Sequence, residues 1–179
     1  MTQVGSVYGE ALYTLALEES ITGKILEELS VLNGAFRENP DFIRLLSSPN
    51  LSKQERCTVL DDSFRGKVHP YVLNFMKLLT EKGYMRSFCD CCESFRGIYN
   101  RDHGILVVTA VSAVALTSAQ QAKLIEKLTS ITGKTIQLVN KVDPSCYGGL
   151  RLSYDGKCID DTIAHRLDAV RDLLKNTVL

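Results

Sequence analysis

An α+β fold is predicted, with an N-terminal six-helix bundle over residues 1–103 followed by a small α/β C-terminal domain over residues 104–179. Three features predict it. Up to about Asn100 the apolar residues recur at helical spacing. At His103-Gly104 the pattern changes to a continuous β-branched run through Ile105, Leu106, Val107, Val108 and Val111. Further on, Val142 to Thr162 reads as an alternating strand, a tight turn and a helix start.

In the first helix, from Val4 to Glu19, the residues Val7, Tyr8, Ala11, Leu12, Leu15 and Ala16 share a stripe, with Tyr13 and Leu17 off it. That is more apolar girth than the roughly 100° face one core contact uses. Either both sides are buried within the domain, or one side is a groove for a partner helix. Thr22-Gly23 is expected to break the pattern ahead of a second helix carrying Ile25, Leu26, Leu29, Leu32 and Phe36. This helix should stop near Asn39, because the residue before a proline is pushed out of helical geometry. Pro40 opens a short third helix with Phe42, Ile43, Leu45 and Leu46, and Ser47-Ser48-Pro49-Asn50 ends it.

Ser52-Lys53-Gln54-Glu55 has the form of a capping box, opening a fourth helix through Val59, Leu60 and Phe64. After His69-Pro70 a fifth helix places Val72, Phe75, Met76 and Leu79 on one stripe, with Tyr71 and Leu78 on another. Here too the girth exceeds one face. Gly83 stops this helix, and a sixth from Met85 to about Asn100 holds Phe88, Cys92, Phe95 and Tyr99.

In the second part, Thr117 or Ser118 caps a helix with Gln120 and Gln121 at capping-box distance. Its expected buried stripe is Leu124, Ile125, Leu128 and Ile131, and Thr132-Gly133-Lys134 ends it. Ile136, Leu138 and Asn140 alternate with Thr135, Gln137 and Val139 as a second strand. Leu150, Leu152 and Tyr154 alternate with Arg151 and Ser153, the period of a strand with one buried face. Asp155-Gly156 offers the positive φ values of a two-residue hairpin turn, so Cys158 and Ile159 begin the return strand. Asp160 and Asp161 are placed to cap a closing helix through Ile163, Leu167, Val170, Leu173 and Leu174. Gly148 and Gly149 read as structural, shaping the strand by a bulge or close packing.

The charges balance, 21 basic against 21 acidic, which gives no electrostatic reason to expect nucleic acid or an anionic membrane surface as partner. The first residues lack the charged region and apolar core of a secretion signal, so the chain reads as intracellular. The nearly apolar run Ile105 to Leu116 is far short of the roughly 20 residues that span a bilayer. Asn50-Leu51-Ser52 matches a glycosylation acceptor, an empty match without a secretory route.

Catalytic chemistry is hard to find. Gly149 to Lys157 superficially resembles a phosphate loop, but the spacing to Gly156 is too long and Cys158 stands where Ser or Thr should meet magnesium. His165 lies four residues after Asp161 without a companion nucleophile, and His69 and His103 sit in turns. Asp160, Asp161, Arg166, Asp168, Arg171, Asp172 and Lys175 make a mixed-charge face. No catalytic residue, metal ligand, cofactor or small-molecule substrate is indicated. The alternative is a cytosolic thiol or metal-binding protein using Cys89, Cys91 and Cys92, in which a helix would turn Cys89 and Cys92 one way and Cys91 another. The spacing fits neither a redox pair nor zinc, and suits small core-filling residues.

The run Val142 to Thr162, with its Gly148-Gly149-Leu150, alternating strand, polar turn and acidic helix start, resembles the C-terminal signature of a known family. That family is the delta subunit of the rotary ATP synthase, which includes the mitochondrial oligomycin-sensitivity-conferring protein. Tyr8-Gly9-Glu10-Ala11-Leu12-Tyr13-Thr14-Leu15-Ala16 is similar to the family's first helix, and Asn74 to Gly83 to its fifth helix and following turn. The resemblance covers essentially the whole chain. It implies a non-catalytic stator subunit of a proton-translocating ATP synthase, linking the catalytic head to the peripheral stalk and resisting rotor torque. It further implies that the N-terminal domain binds the N-terminal segment of an alpha subunit as a helix between the first and fifth helices. The C-terminal domain would meet the C-terminal region of the stalk subunit b, with any membrane association indirect, at the cytoplasmic face of a bacterial-type cell membrane. Carried over by position, the partner-binding residues are Tyr8, Ala11, Leu12, Leu15, Phe75, Leu78 and Leu79, and the structural ones Gly148, Gly149, Asp155 and Gly156.

Overall fold

The computed structural model describes residues 2–48 and 51–167. The expected stop at Pro49-Asn50 and the expected positions of Asp168, Val170, Arg171, Asp172, Leu173, Leu174 and Lys175 lie outside the described residues. The chain divides into two compact units, Met1–Tyr99 and Asn100–Leu179, and the class is α+β.

The first unit contains α1 (Gln3–Glu18), α2 (Thr22–Glu38), α3 (Pro40–Leu46), α4 (Lys53–Phe64), α5 (Pro70–Glu81) and most of α6 (Phe88–Asp102). Local chemistry sets most of these bounds. Pro40 and Pro70 occupy first-turn positions where a missing N–H costs nothing. At α4 the Ser52 hydroxyl accepts from the Glu55 N–H while the Glu55 carboxylate accepts from the Ser52 N–H at 2.8 Å, the reciprocal capping box. Two helix ends close the same way. The residue after the cap is left-handed, Ser20 (φ 57°) after α1 and Gly83 (φ 76°) after α5. The next N–H then reaches back, Ile21 to the Ala16 carbonyl at 2.9 Å and Tyr84 to the Leu79 carbonyl at 2.7 Å.

These ends correct two expected boundaries. The break after α1 lies at Ser20 rather than at Thr22-Gly23, which instead start α2, because the carbonyls of the last turn are satisfied without a glycine. Met85 belongs to a short 3₁₀ turn, Met85–Ser87, that precedes α6.

The bundle core is aromatic at its centre. Phe36 packs against Phe88 at 5.0 Å and Phe42 at 5.6 Å between ring centroids, and Tyr13 meets Phe95 edge-on at 5.3 Å. Helices α1 and α6 come close at two glycines of α1. A Cβ on Gly9 would lie 2.7 Å from both the Cys91 carbonyl oxygen and Ser94 Cβ, and one on Gly5 would lie 2.5 Å from Asp90 Cβ. The Thr2 N–H, donating to the Asp90 carboxylate at 2.9 Å, fastens the start of α1 to α6. Lys77 of α5 meets Asp61 of α4 at 2.7 Å, which holds that carboxyl below the usual carboxylate range.

Among the described residues the second unit has a four-stranded sheet in the order β2 (Thr135–Val142), β1 (Ile105–Ser112), β3 (Leu150–Tyr154), β4 (Lys157–Asp160), with α7 (Ser118–Thr132) on it. Strands β1 and β2 are parallel, joined through α7. Strand β3 runs antiparallel to β1 and pairs with β4 as a hairpin. Leu106, Val108 and Ile136 are buried, with Ile125 and Leu128 of α7 and Leu138, Leu152 and Tyr154 against them. Thr117 caps α7 in a capping box with Gln120.

Two expectations fail here. Ile131 is 73% exposed, because the half-buried stripe of α7 steps from Leu128 to Thr132 at i+4 spacing, leaving Ile131 outside it. Strand β3 lacks a clean in-and-out alternation, since all five of its residues are half-buried.

The two helical extremes of glycine environment make a test. Gly9→Ala should lower stability by about 1–3 kcal/mol by overpacking the α1–α6 crossing. Gly34→Ala in α2, where an added Cβ meets nothing within 4 Å, should raise it by about 0.5–1 kcal/mol. Urea unfolding of the two variants checks both signs.

Candidate functional site

Helix α1 carries two stripes. Gly5, Gly9, Leu12, Tyr13 and Ala16 are buried and face the bundle. Tyr8, Ala11 and Leu15 turn aside, Ala11 exposed and Leu15 37% exposed. Helix α5 is divided likewise. Val72, Leu73, Met76, Leu79 and Thr80 are interior, while Tyr71, Asn74, Phe75 and Leu78 look toward α1.

Between the two helices lies an apolar trough of about 370 Å³, lined by Tyr8, Ala11, Leu12, Leu15, Tyr71, Asn74, Phe75 and Leu78. Leu12 (5% exposed) and Phe75 (7%) form its floor, and Leu78 (41%) stands on its wall. Ala11 keeps the wall low, because its single methyl leaves room for an approaching backbone. The helices run antiparallel. Tyr8 contacts Tyr84, just past α5, at 5.9 Å between ring centroids, and the Tyr71 hydroxyl at the start of α5 donates to Glu19 at the end of α1 at 3.2 Å. Along α1 the trough lining runs from Tyr8 to Leu15, about 10 Å at the usual helical rise.

The structure brings together six of the seven residues expected at this site. The exception is Leu79, which is 0% exposed and belongs to the core. Its place is taken by Tyr71 and Asn74. Tyr71 was legible as a member of the second α5 stripe beside Leu78, one turn and a further turn back, whereas polar Asn74 gives no such signal. Two α1 assignments also exchange, for Val7 is 58% exposed while Tyr13 is buried against Phe95. A second apolar recess, about 670 Å³, lies between α2, α3 and α4 and is lined by Phe36, Phe42, Leu45 and Phe64 among others.

In the second unit the glycine pair is sterically defined. A Cβ on Gly149 (φ 83°) would lie 2.3 Å from the Asp161 carbonyl oxygen, and one on Gly148 would lie 2.9 Å from Ile163 Cδ1. Asp155 (φ 45°) and Gly156 (φ 74°) supply the two left-handed residues of the β3–β4 turn. Helix capping differs from expectation. Thr162, not Asp160 or Asp161, accepts the N–H of His165, and the Asp160 carboxylate holds Thr162 through its N–H (3.0 Å) and hydroxyl (2.7 Å). Those hydrogen bonds keep the Asp160 carboxyl below the usual range. Asp161 instead pairs with Arg166.

Three comparisons bear on this architecture. The family model described as ATP synthase delta (OSCP) subunit matches residues 4–174. The chain is similar to "ATP synthase subunit delta" of Alkaliphilus oremlandii, 30% identical over 98% of each chain. It is 32% identical to "ATP synthase subunit delta" of Lactobacillus johnsonii, over 96% of this chain and 94% of that one. Among solved structures, a chain in the Toxoplasma gondii mitochondrial ATP synthase hexamer has the same fold, with a TM-score of 0.77 and 22% identity over 97% of this chain and 98% of that one.

The thiols have a different character from the trough. Cys91 and Cys92 are buried and Cys89 half-buried, so the helical phase is not the one expected. Burial pushes the Cys91 thiol up to about 11, and burial raises Cys92 further. Neither is a thiolate near neutral pH, the form that attacks or binds metal. Among the described residues no group of three or more His, Cys, Asp or Glu is placed to hold a metal ion. Because the folded-state pKa of Cys91 is raised, its contribution to stability is fully present below the ordinary 9.0 and is lost as pH rises through about 11. In a thiol-labelling time course near neutral pH, exposed Cys158 should react first and Cys91 and Cys92 only on unfolding; early labelling of Cys91 or Cys92 would contradict this burial.

Proposed function

Since the chain belongs to the ATP synthase delta (OSCP) subunit family, we propose that its α1–α5 trough seats the N-terminal segment of an alpha subunit as a helix. Its broader role is that of the family: a non-catalytic stator subunit of the rotary, proton-translocating ATP synthase, linking the catalytic head to the peripheral stalk. Among the described residues no helix is long and apolar enough to cross a membrane. The subunit associates with its membrane complex peripherally.

The observation that carries the trough reading is the second apolar stripe of α1 and α5, which the bundle does not use. Ala11 is open, Leu15 and Leu78 are about two-fifths exposed, and the floor beneath them is packed. A groove of this shape takes the apolar face of an amphipathic helix through anchors spaced at i, i+3, i+4 and i+7. A trough of roughly two helical turns, Tyr8 to Leu15, matches the span of such anchors. Covering the exposed parts of Leu15, Leu78 and Tyr8 removes apolar surface from water, each Å² contributing about 25 cal/mol.

The division of labour follows. The bundle, residues 1–103, would hold the catalytic head through alpha, and residues 104–179 would meet the C-terminal region of stalk subunit b. The complex would lie at the cytoplasmic face of a bacterial-type membrane. Torque tends to pull these contacts apart, so slow dissociation matters more than fast association. Two interfaces on one short chain meet that demand in series.

Ala11→Asp and Leu78→Asp each place a carboxylate where a partner helix would press, and each should weaken binding of an alpha N-terminal peptide by about a hundredfold or more. Helical content measured by circular dichroism should not change, since both positions are already solvent-facing. Calorimetric titration of the full chain reads the affinity. Unaltered titration curves would remove the trough as the seat.

A further inference from the structure

We propose that the helix seated in the trough carries an arginine beyond its last apolar anchor, received jointly by Glu19 and the ring of Tyr71, so that this pair selects which end of the partner lies at the α1 C-terminus. The proposal rests on the trough being a helix seat, and adds the chemistry and polarity of its occupant.

Glu19 stands where the α1 groove stripe of Tyr8, Ala11 and Leu15 arrives one turn later. It is exposed, and its Oε1 already accepts the Tyr71 hydroxyl at 3.2 Å. Tyr71 lines the trough and is fixed from behind. Its backbone N–H donates to His69 Nδ1 at 3.3 Å, its ring lies 5.2 Å from the His69 ring, and the His69 N–H donates to the Glu28 carboxylate at 2.7 Å. The apolar trough therefore ends on a carboxylate and an immobilised aromatic face. The other end closes differently, on the Tyr8–Tyr84 ring contact.

This end also breaks a local rule. Glu18 and Glu19 sit at the negative end of the α1 dipole, and the last turn of α1 holds no basic residue to offset them. A sequence that places two acids there disfavours its own helix slightly, and such conflicts are expected where a partner resolves them. A guanidinium does so in two ways at once, pairing with the Glu19 carboxylate and lying over the Tyr71 ring. Lysine could pair but stack less well. An acidic residue would be repelled, so a helix inserted the wrong way round is discriminated against by charge.

The test titrates the full-length chain with a synthetic peptide of the alpha subunit's N-terminal segment, at low and high salt, with circular dichroism as the folding control. Glu19→Gln should weaken binding about fivefold at low salt, and the difference should shrink at high salt. Glu19→Lys should weaken it further, and one peptide of a set in which each Arg is changed to Glu in turn should restore it. Tyr71→Leu should reduce the discrimination between peptides carrying Arg and Lys at that position, whereas Tyr71→Phe should keep it. If Glu19→Gln and Glu19→Lys bind as the parent does while Ala11→Asp does not bind, the arginine contact is overturned and the trough stands. Failure of every Arg-to-Glu peptide to rescue Glu19→Lys overturns it as well. If Ala11→Asp also binds as the parent does, the trough itself falls, and the present proposal with it.

Discussion

The structure of the N-terminal unit depends on how closely α1 approaches α6. Gly5 and Gly9 bring backbone to backbone, with the Cys91 carbonyl oxygen and Ser94 Cβ where any side chain on Gly9 would begin. That contact fixes the rotation of α1 about its own axis. Once the glycines face inward, Leu12, Tyr13 and Ala16 follow them into the core at helical spacing, and Tyr8, Ala11 and Leu15 are turned toward α5. The trough is thus a consequence of a packing contact on the opposite side of the helix.

The facing wall is held just as firmly. Met76 and Leu79 of α5 are wholly buried, the Lys77–Asp61 ion pair joins α5 to α4, and the Tyr84 N–H closes the helix end on the Leu79 carbonyl. With both walls anchored in the core, the apolar stripe between them cannot collapse by side-chain rearrangement alone. If the trough seats a helix as proposed, its preformed walls leave little ordering to be done on the receiving side. On the proposed reading, rigidity of the receiving surface would slow release under torque.

The second unit is organised by backbone proximity of another kind. The Gly149 position touches the Asp161 carbonyl, and the Ile163 N–H donates to the Gly148 carbonyl at 3.0 Å, so the start of β3 and the start of the closing helix are locked together. Asp160 then positions Thr162 as the cap. The acidic pair that reads as a capping signal works at one remove. A hydroxyl at the right point of the turn reaches the free N–H, and the carboxylate is left to hold the hydroxyl.

Much of this was legible in the chain, because helix and hairpin ends are governed by contacts a few residues apart. Pro40, Pro70, Gly83, the Ser52–Glu55 and Thr117–Gln120 boxes and the Asp155-Gly156 turn all act through their immediate neighbours. Periodicity likewise determined that α1 and α5 have more apolar girth than one face needs. Periodicity sets angles between residues but not their phase relative to the rest of the protein. Only the tertiary structure decided that Tyr13 rather than Val7 goes inside, that Leu79 belongs to the core and Tyr71 to the trough, and that Ile131 is left in water. Those choices depend on which face each element packs against the rest of its unit; for α1 it is set by Gly9 against Cys91 and Ser94, far away in sequence.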